Sequence, residues 1–319
     1  MARIKLFELQ TKKPLIVILG PTATGKTALS YLFYELIDSE FISADSRQIY
    51  KLMDIGTAKP SKEELKQYPF HLIDFLDLDE NFSAGQFSIQ AKKAIDEIYS
   101  KNKIPIVVGG TGLYISALCD SFIYIENEFD RSEEIRNDLN KQYEMYGKNY
   151  IYDLLLKIDE ASARKYIDKN PRRIIRALEF YMITGTKFSE AHLKFNTKSE
   201  FNSIYFAINY PRQILYDRIN NRCEKMWENG IIEEAKNILD LGYSTNLNSL
   251  NTVGYKEAIL YLNNILSYND ALIEFKKNTR RYAKRQLTWF NKNPHINWLN
   301  SNIFDNLNLL KSIINEIIR

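Results

Sequence analysis

The chain has 319 residues, 45% of them hydrophobic and 26% charged, the make-up of a soluble globular protein with room for one large domain or two smaller ones. A net charge of +3 is too small to mark a nucleic-acid partner, so the placement of charge has to be read along the chain. Cys119 and Cys223 are the only cysteines and form no C-x-x-C pair, which argues against a disulfide framework or a zinc site and suits a reducing cytosol; no segment approaches membrane-spanning length, and Met1 to Phe7 carries no secretory h-region.

The first element is an apolar, β-branched run, Pro14 to Leu19, that reads as a buried strand. It runs into Gly20-Pro21-Thr22-Ala23-Thr24-Gly25-Lys26-Thr27, a complete G-x-x-x-x-G-K-T loop, and then into Ala28 to Ile37, apolar at helical spacing. Strand, glycine loop and helix in this order are the context that gives the motif its meaning. Glycines let backbone N–H groups turn toward phosphate oxygens, and the helix start adds positive dipole. Lys26 is then placed to reach the outer phosphate and the Thr27 hydroxyl to hold Mg²⁺. The loop alone says that a di- or triphosphate binds, not which one.

A second strand, Glu40 to Ala44, ends at Asp45-Ser46-Arg47-Gln48. Ligands of open α/β sheets lie outside the carboxyl ends of the strands, so Asp45 is a candidate catalytic carboxylate facing Lys26. A surface turn or helix N-cap accounts for an aspartate there equally well. Gly56 and Pro60 punctuate a loop over 49–60, and Phe70 to Phe75 is another apolar run. Ser83 with Gln86 has capping-box spacing at the start of a helix reaching about Tyr99. Ile104 to Val108 is a buried strand that exits into Gly109-Gly110-Thr111-Gly112, where Thr111 either hydrogen-bonds a ligand or simply closes a tight turn.

Near residue 125 the strand pattern gives way to charged helical periodicity, which persists to about 199. Within it, Asn170 and Pro171 start a helix that Gly185 ends. Arg172, Arg173 and Arg176 sit in its first two turns, against the helix dipole, which an anionic partner would explain and a solvated face would also accommodate. Strand character returns at Ser203 to Ile208, followed by a helix carrying Arg218 and Arg222. The most basic stretch is Lys276 to Phe290, with no acid. On a helix its aromatic residues, including Tyr282 and Trp289, share one face with Gln286 that reads as core packing, while Lys277, Arg281, Lys284 and Arg285 share another that suits phosphates or is simply solvated. These elements predict an α/β chain: a P-loop NTPase-like parallel sheet flanked by helices, built from 1–125 and 200–319, with an all-helical insertion over 126–199. A phosphate loop together with two arginine- and lysine-rich patches implies two anionic ligands, one small and one a nucleic acid.

The phosphate loop, Ser43 to Lys51, Met53 to Pro60, Val108 to Tyr114, Arg172 to Glu179, Val253 to Glu257 and Tyr282 to Trp289 together resemble the bacterial tRNA dimethylallyltransferases, the isopentenyl-diphosphate:tRNA transferase family. The resemblance spans about residues 15 to 292 and is poor over 122–166 and after Pro294; Phe70 stands where the family often has a histidine. It implies transfer of a dimethylallyl group from its diphosphate to the exocyclic N6 amine of the adenosine 3′ of the anticodon. It also implies that Gly20 to Thr27 hold the diphosphate, that Asp45 is the general base, that Thr22 lines the channel where the substrates meet, and that Lys26, Arg222 and Mg²⁺ on Thr27 neutralise the departing pyrophosphate. By the same resemblance, Asp45, Ser46, Arg47, Gln48, Thr111, Arg136, Arg172, Arg173, Ile174, Ile175, Arg176, Asn251, Thr252, Val253, Gly254, Tyr255, Lys256, Lys284, Arg285 and Gln286 lie along the tRNA, and the insertion clamps the anticodon stem. A cytoplasmic monomer with no membrane partner is expected. The alternatives are prenylation of a free adenine nucleotide, which leaves the insertion's arginines without a backbone to bind, a small-molecule kinase or NTPase, and a non-catalytic RNA-binding module, which has no need of Lys26, Thr27 and Asp45.

Overall fold

In the computed structural model, which describes residues 13–120, 132–194, 200–305 and 307–318, the strands form one six-stranded parallel sheet. They are β1 (Lys13–Leu19), β2 (Ser39–Ser43), β3 (Phe70–His71), β4 (Ile104–Gly109), β5 (Phe201–Asn209) and β6 (Ile296–Asn300), in the spatial order β3-β2-β4-β1-β5-β6. The central strand β1 is buried along Pro14 to Leu19, as a parallel strand covered on both faces must be. One face packs on the helix Lys26–Leu36, whose Leu29, Phe33 and Leu36 recur at helical spacing, and on Leu310 and Ile314 of the final helix, Leu307–Ile318. A second core joins Tyr50, Met53 and Leu78 to the helices Arg212–Glu228, Ile231–Asp240, Tyr255–Leu262 and Tyr268–Phe290.

Two sequence expectations needed revision. The run beginning at Phe70 forms only a two-residue strand, because Leu72 and Asp74 take positive φ (58° and 55°) and turn the chain away. β6 was not foreseen: Ile-Asn-Trp-Leu-Asn is half polar, and only pairing with β5, from Tyr205↔Ile296 to Asn209↔Asn300, makes it a strand.

The chain divides into two units, residues 1–119 with 200–319, and residues 120–199; the boundary expected at 125/126 lies outside the described residues. Among its described residues the second unit is helical: Glu133–Ile158, Glu160–Lys165, Pro171–Thr184 and Phe188–Lys194 enclose Leu139, Ile151, Leu155, Ile174, Leu178 and Phe180. The long helix kinks at Gly147, where φ is 81°. Asn170 Oδ1 accepts the Arg172 N–H at 3.1 Å, Pro171 occupies the first turn, and Gly185 closes the helix in the left-handed region, as the sequence indicated. The buried Asp159 carboxylate accepts the N–H groups of Ser162 and Ser189 and both their hydroxyls, pinning the short helices together.

Candidate active site

Three strand exits converge. β1 delivers the phosphate loop, β2 delivers Asp45, and β4 delivers Gly109 and Gly110. The last two approach so closely that a Cβ on Gly109 would lie 2.1 Å from the Ala44 carbonyl, so no larger residue fits. Ala44 N–H donates to Val108 O at 2.8 Å and Thr111 N–H donates back to Ala44 O at 3.1 Å. Thr111 Oγ1 then accepts the Ser46 N–H, so this threonine closes the turn that holds Asp45 in place.

Asp45 Oδ1 accepts the N–H groups of Arg47 (2.9 Å) and Gln48 (3.4 Å), an Asx-type turn of its own. Its other carboxylate oxygen takes no hydrogen bond among the described residues, and the side chain faces a cleft of about 390 Å³. Thr22, Ala23, Gly25, Lys26 and Thr27 line the same cleft, as does Arg222 from the helix Arg212–Glu228. The cleft has two characters. The phosphate loop and Arg222 give it cationic and polar groups, and Met226, Val253, Phe275 and Tyr282 give it apolar surface.

Electrostatics tie the polar groups together. Burial lowers the Lys26 ammonium to a pKa of about 8, with Asp45 pulling it up and Arg222 pushing it down. Burial likewise lowers Arg222, against the pull of Asp45. Lys26 Nζ donates to the Pro21 carbonyl at 2.8 Å, whereas the Arg222 guanidinium has no hydrogen-bond partner among the described residues. Tyr282 is raised to about 12 by burial and then by Asp45. Two cations, of which Arg222 has no hydrogen-bond partner among the described residues, and a half-used carboxylate around one cleft can hold an anion and accept a proton.

The loop is braced from behind. Gln286 Oε1 accepts the Thr22 N–H at 3.0 Å while Nε2 donates to Gly110 O at 2.9 Å, so one amide locks both glycine loops. Arg218 Nε donates to Ala23 O at 2.8 Å, supporting a residue whose φ is 65°. The Phe304 ring packs on Gly25, where a Cβ would meet it at 2.9 Å. The loop over 53–60 is held by Glu234, whose carboxylate accepts the N–H groups of Asp54, Ile55 and Gly56 and the Tyr255 hydroxyl. Lys59, its ammonium between Asp54, Asp74 and the Tyr50 carbonyl, closes the other side. Sequence reasoning missed Glu234 and Phe304 and named Arg218 without a role, because their partners are far away in the chain.

Several residues assigned to the tRNA have partners within the protein. Gln286 is buried between the loops. Gln48 donates to the carbonyls of Thr57 and Ala58. Tyr255 is fully buried on Glu234, and Gly254, at φ 103°, starts its helix with its N–H on Glu257. Ile174 and Ile175 belong to the helical unit's core. Arg176 and Arg136 both pair with the fully buried Glu179, at 3.2 and 2.9 Å. The late helix is less free than its sequence suggests, since Lys276 pairs with Glu224 and Lys277 with Glu274, and Trp289 is exposed and covers Gly112 instead of joining the core. Arg47 spends one guanidinium donor on Asn248 O. Ser46, Asn251, Thr252, Val253 and Arg285 line the cleft, Lys256 and Lys284 are exposed, and in the helical unit Arg172 and Arg173 are exposed.

Mg²⁺ fits the donor set. The described residues hold no cluster of three or more His, Cys, Asp or Glu side chains, so an all-protein cage is not offered there. The Thr27 hydroxyl lines the cleft with no hydrogen bond among the described residues, and a hydroxyl plus substrate phosphate oxygens is a usual Mg²⁺ environment.

Comparison with known proteins agrees with this geometry. The model of the IPP transferase family matches residues 48–293, a span that begins beyond the phosphate loop and Asp45. The chain is 43% identical over 309 residues to a tRNA dimethylallyltransferase of Alkaliphilus oremlandii, covering 96% of this chain and 97% of that one. It is 42% identical over 287 residues to the enzyme of the same name from Caldanaerobacter subterraneus, covering 89% and 90%. Among solved structures, a full-length tRNA isopentenylpyrophosphate transferase from Bacillus halodurans superposes with a TM-score of 0.71 at 37% identity, covering 96% and 97%. A eukaryotic dimethylallyltransferase acting on tRNA reaches 0.82 at 28% identity, covering 94% of this chain and 78% of that one. A parallel sheet of the P-loop type, a basic cleft at its carboxyl edge and these similarities lead to one conclusion: the chain belongs to the IPP transferase family, that of the tRNA dimethylallyltransferases.

Proposed function

We propose that this enzyme transfers a dimethylallyl group from dimethylallyl diphosphate to the exocyclic N6 amine of the adenosine immediately 3′ of the anticodon in tRNA, releasing diphosphate. The observation that carries the reading is that one cleft is lined both by the cationic phosphate loop with Arg222 and by apolar Met226, Phe275 and Tyr282, with Asp45 on the same lining. A prenyl diphosphate has the same two parts.

The diphosphate lies in the loop, where the outward-turned N–H groups, Lys26 and Arg222 take its charge. Thr22 lines the meeting point of the two substrates. Mg²⁺ held by Thr27 and the phosphates would supply further charge neutralisation. As the allylic C–O bond breaks, its electron pair goes to the diphosphate, and the cations stabilise the charge that develops there. The adenine nitrogen forms the new C–N bond, and Asp45 takes the amine proton as general base. Met226, Phe275 and Tyr282 keep water from the allylic carbon. The base has to leave its stack to enter, which costs least in an anticodon loop whose bases are unpaired. Of the residues assigned to tRNA, Ser46, Arg47, Asn251, Thr252, Lys256, Lys284, Arg285, Arg172 and Arg173 carry that contact in this reading. Two free, buried cysteines suit a reducing compartment, and no described helix is long and apolar enough to cross a membrane. The enzyme works in the cytoplasm as a monomer.

Calorimetry with the two candidate donors tests the cleft's specificity. Dimethylallyl diphosphate is expected to bind in the presence of Mg²⁺ and ATP to compete poorly. Tight ATP binding without affinity for the prenyl diphosphate would return the site to a kinase.

A further inference from the structure

The phosphate loop is a partition with a second cleft on its far side. This cleft, about 440 Å³, opens between the start of the helix Arg212–Glu228, the end of the helix Tyr268–Phe290 and the edge strand β6. Pro21 and Thr24 form its wall toward the loop. Its size is that of a small-ligand pocket.

Its chemistry is aromatic and cationic. Tyr210, Tyr216 and Trp298 line it. Each tyrosine is backed by an arginine, Arg212 lying 5.1 Å from the Tyr216 ring and Arg218 4.7 Å from that of Tyr210. Trp298 is 36% exposed, although it stands on a strand. Arg212 and Lys284 supply positive charge, and no acidic residue among the described ones lines the cleft. Rings fixed by stacked guanidinium groups, beside cations without a counter-charge, suit a ligand that has both a π face and a negative charge. The late helix connects the two clefts: Lys284 faces this one, and its neighbour Arg285 faces the catalytic one.

We propose that this second cleft binds one nucleotide, its base against Tyr216 and Trp298 and its phosphate against Arg212 and Lys284. The nucleotide comes either from the RNA strand whose target adenosine occupies the catalytic cleft or from a free mononucleotide. Only the RNA source rests on the proposed function. With RNA as the source, the phosphate loop separates the reacting base from a stacked neighbour and so sets the register of the strand.

The test uses the full-length protein, wild type and the variants Arg212→Ala, Tyr216→Ala and Tyr216→Phe. Two probes are titrated: a fluorescein-labelled anticodon stem-loop RNA, read by anisotropy at several salt concentrations, and AMP, read by calorimetry. Arg212 is exposed, so its replacement removes charge without opening a core, and thermal melting checks the fold of each variant. Tyr216→Ala is expected to weaken RNA binding roughly five- to a hundredfold, the range for losing one stacked base, with Tyr216→Phe near wild type. Arg212→Ala is expected to lower the salt slope by about one. Loss of AMP binding with RNA binding retained assigns the cleft to a free nucleotide. Wild-type affinity of folded Arg212→Ala and Tyr216→Ala for both probes would overturn the proposal. Prenyl transfer by the wild type is followed in parallel: its absence refutes the proposed reaction, while the two binding titrations still decide the cleft.

Discussion

Gln286 Oε1 accepts the Thr22 N–H at 3.0 Å, joining residues 264 positions apart, and the same amide donates to Gly110 O. The phosphate loop is therefore shaped by the late helix as well as by its own glycines. Gln286→Ala leaves the buried Gly110 carbonyl unpaired, at about 1–3 kcal/mol, and frees the part-buried Thr22 N–H. Gln286→Glu keeps the acceptor for Thr22 and loses the donor for Gly110. Both variants are expected to lower kcat/KM for the prenyl diphosphate, with Glu the more severe because it sets a buried carboxylate against a carbonyl oxygen beside the diphosphate site, and to leave the salt slope of tRNA binding unchanged. Steady-state kinetics with denaturant titration measures both effects; a changed salt slope would mean that Gln286 touches the nucleic acid after all.

Asp45→Asn preserves the oxygen that accepts from Arg47 and Gln48, so the turn survives while the base is lost. Turnover is expected to fall roughly 10²- to 10⁴-fold, the range of a general base, with tRNA affinity nearly intact. Single-turnover kinetics checks this, and near-wild-type turnover would remove Asp45 from the chemistry.

Lys26 carries a pH signature. Its ammonium loses the proton as pH rises through about 8 in the free enzyme. kcat/KM for the donor is expected to decline above that pH, and bound diphosphate to move the inflection upward. The stability effect has the opposite sense. Because the native pKa lies below the unfolded one, the unfolded chain binds more protons between about 8 and 10.5, and stability rises with pH across that window. Below pH 8 the buried ammonium destabilises the free protein, so Lys26→Met should abolish turnover without lowering the melting temperature at pH 7. A lower melting temperature would show that Lys26 supports the fold.

The helical unit separates two kinds of arginine. Arg172 and Arg173 are exposed, Arg173 facing Asp168 only at 3.8 Å, whereas Arg176 sits on the buried Glu179. Replacing Arg172 or Arg173 by Ala is expected to raise the tRNA KM and to flatten the salt dependence by up to about one unit per lost phosphate contact. Arg176→Ala is expected to destabilise the unit, because it takes one of two cations from a buried carboxylate. Filter binding across a salt series and thermal melting tell these apart. Unchanged affinity in the Arg172 and Arg173 variants would leave that face merely solvated.

Much of this was legible in the sequence because it is local. The β-branched runs before two glycine loops, the Ser83–Gln86 capping box and the Asn170–Pro171 helix start all depend on neighbours within four residues. The position of Asp45 followed from a general rule about strand ends. What stayed hidden depends on tertiary partners. Gln48, Gln286 and Arg176 have the residue types of a nucleic-acid contact, and only the folded chain shows what each is bonded to. Lys276 and Lys277 read as uncompensated because Glu224 and Glu274 lie outside the basic stretch. The β6 strand and Phe304 lie beyond residue 293, where the match to the family model ends, yet they complete the sheet and back the phosphate loop.

The most direct test of the account is to incubate the enzyme with Mg²⁺, isotopically labelled dimethylallyl diphosphate and tRNA lacking the modification, then digest the RNA and separate its nucleosides. The account predicts label in a single product, adenosine carrying the dimethylallyl group on N6, from the position 3′ of the anticodon, with one diphosphate released per group transferred. Unmodified tRNA alongside labelled free adenine nucleotide, or ATP turnover with the prenyl donor untouched, would contradict it.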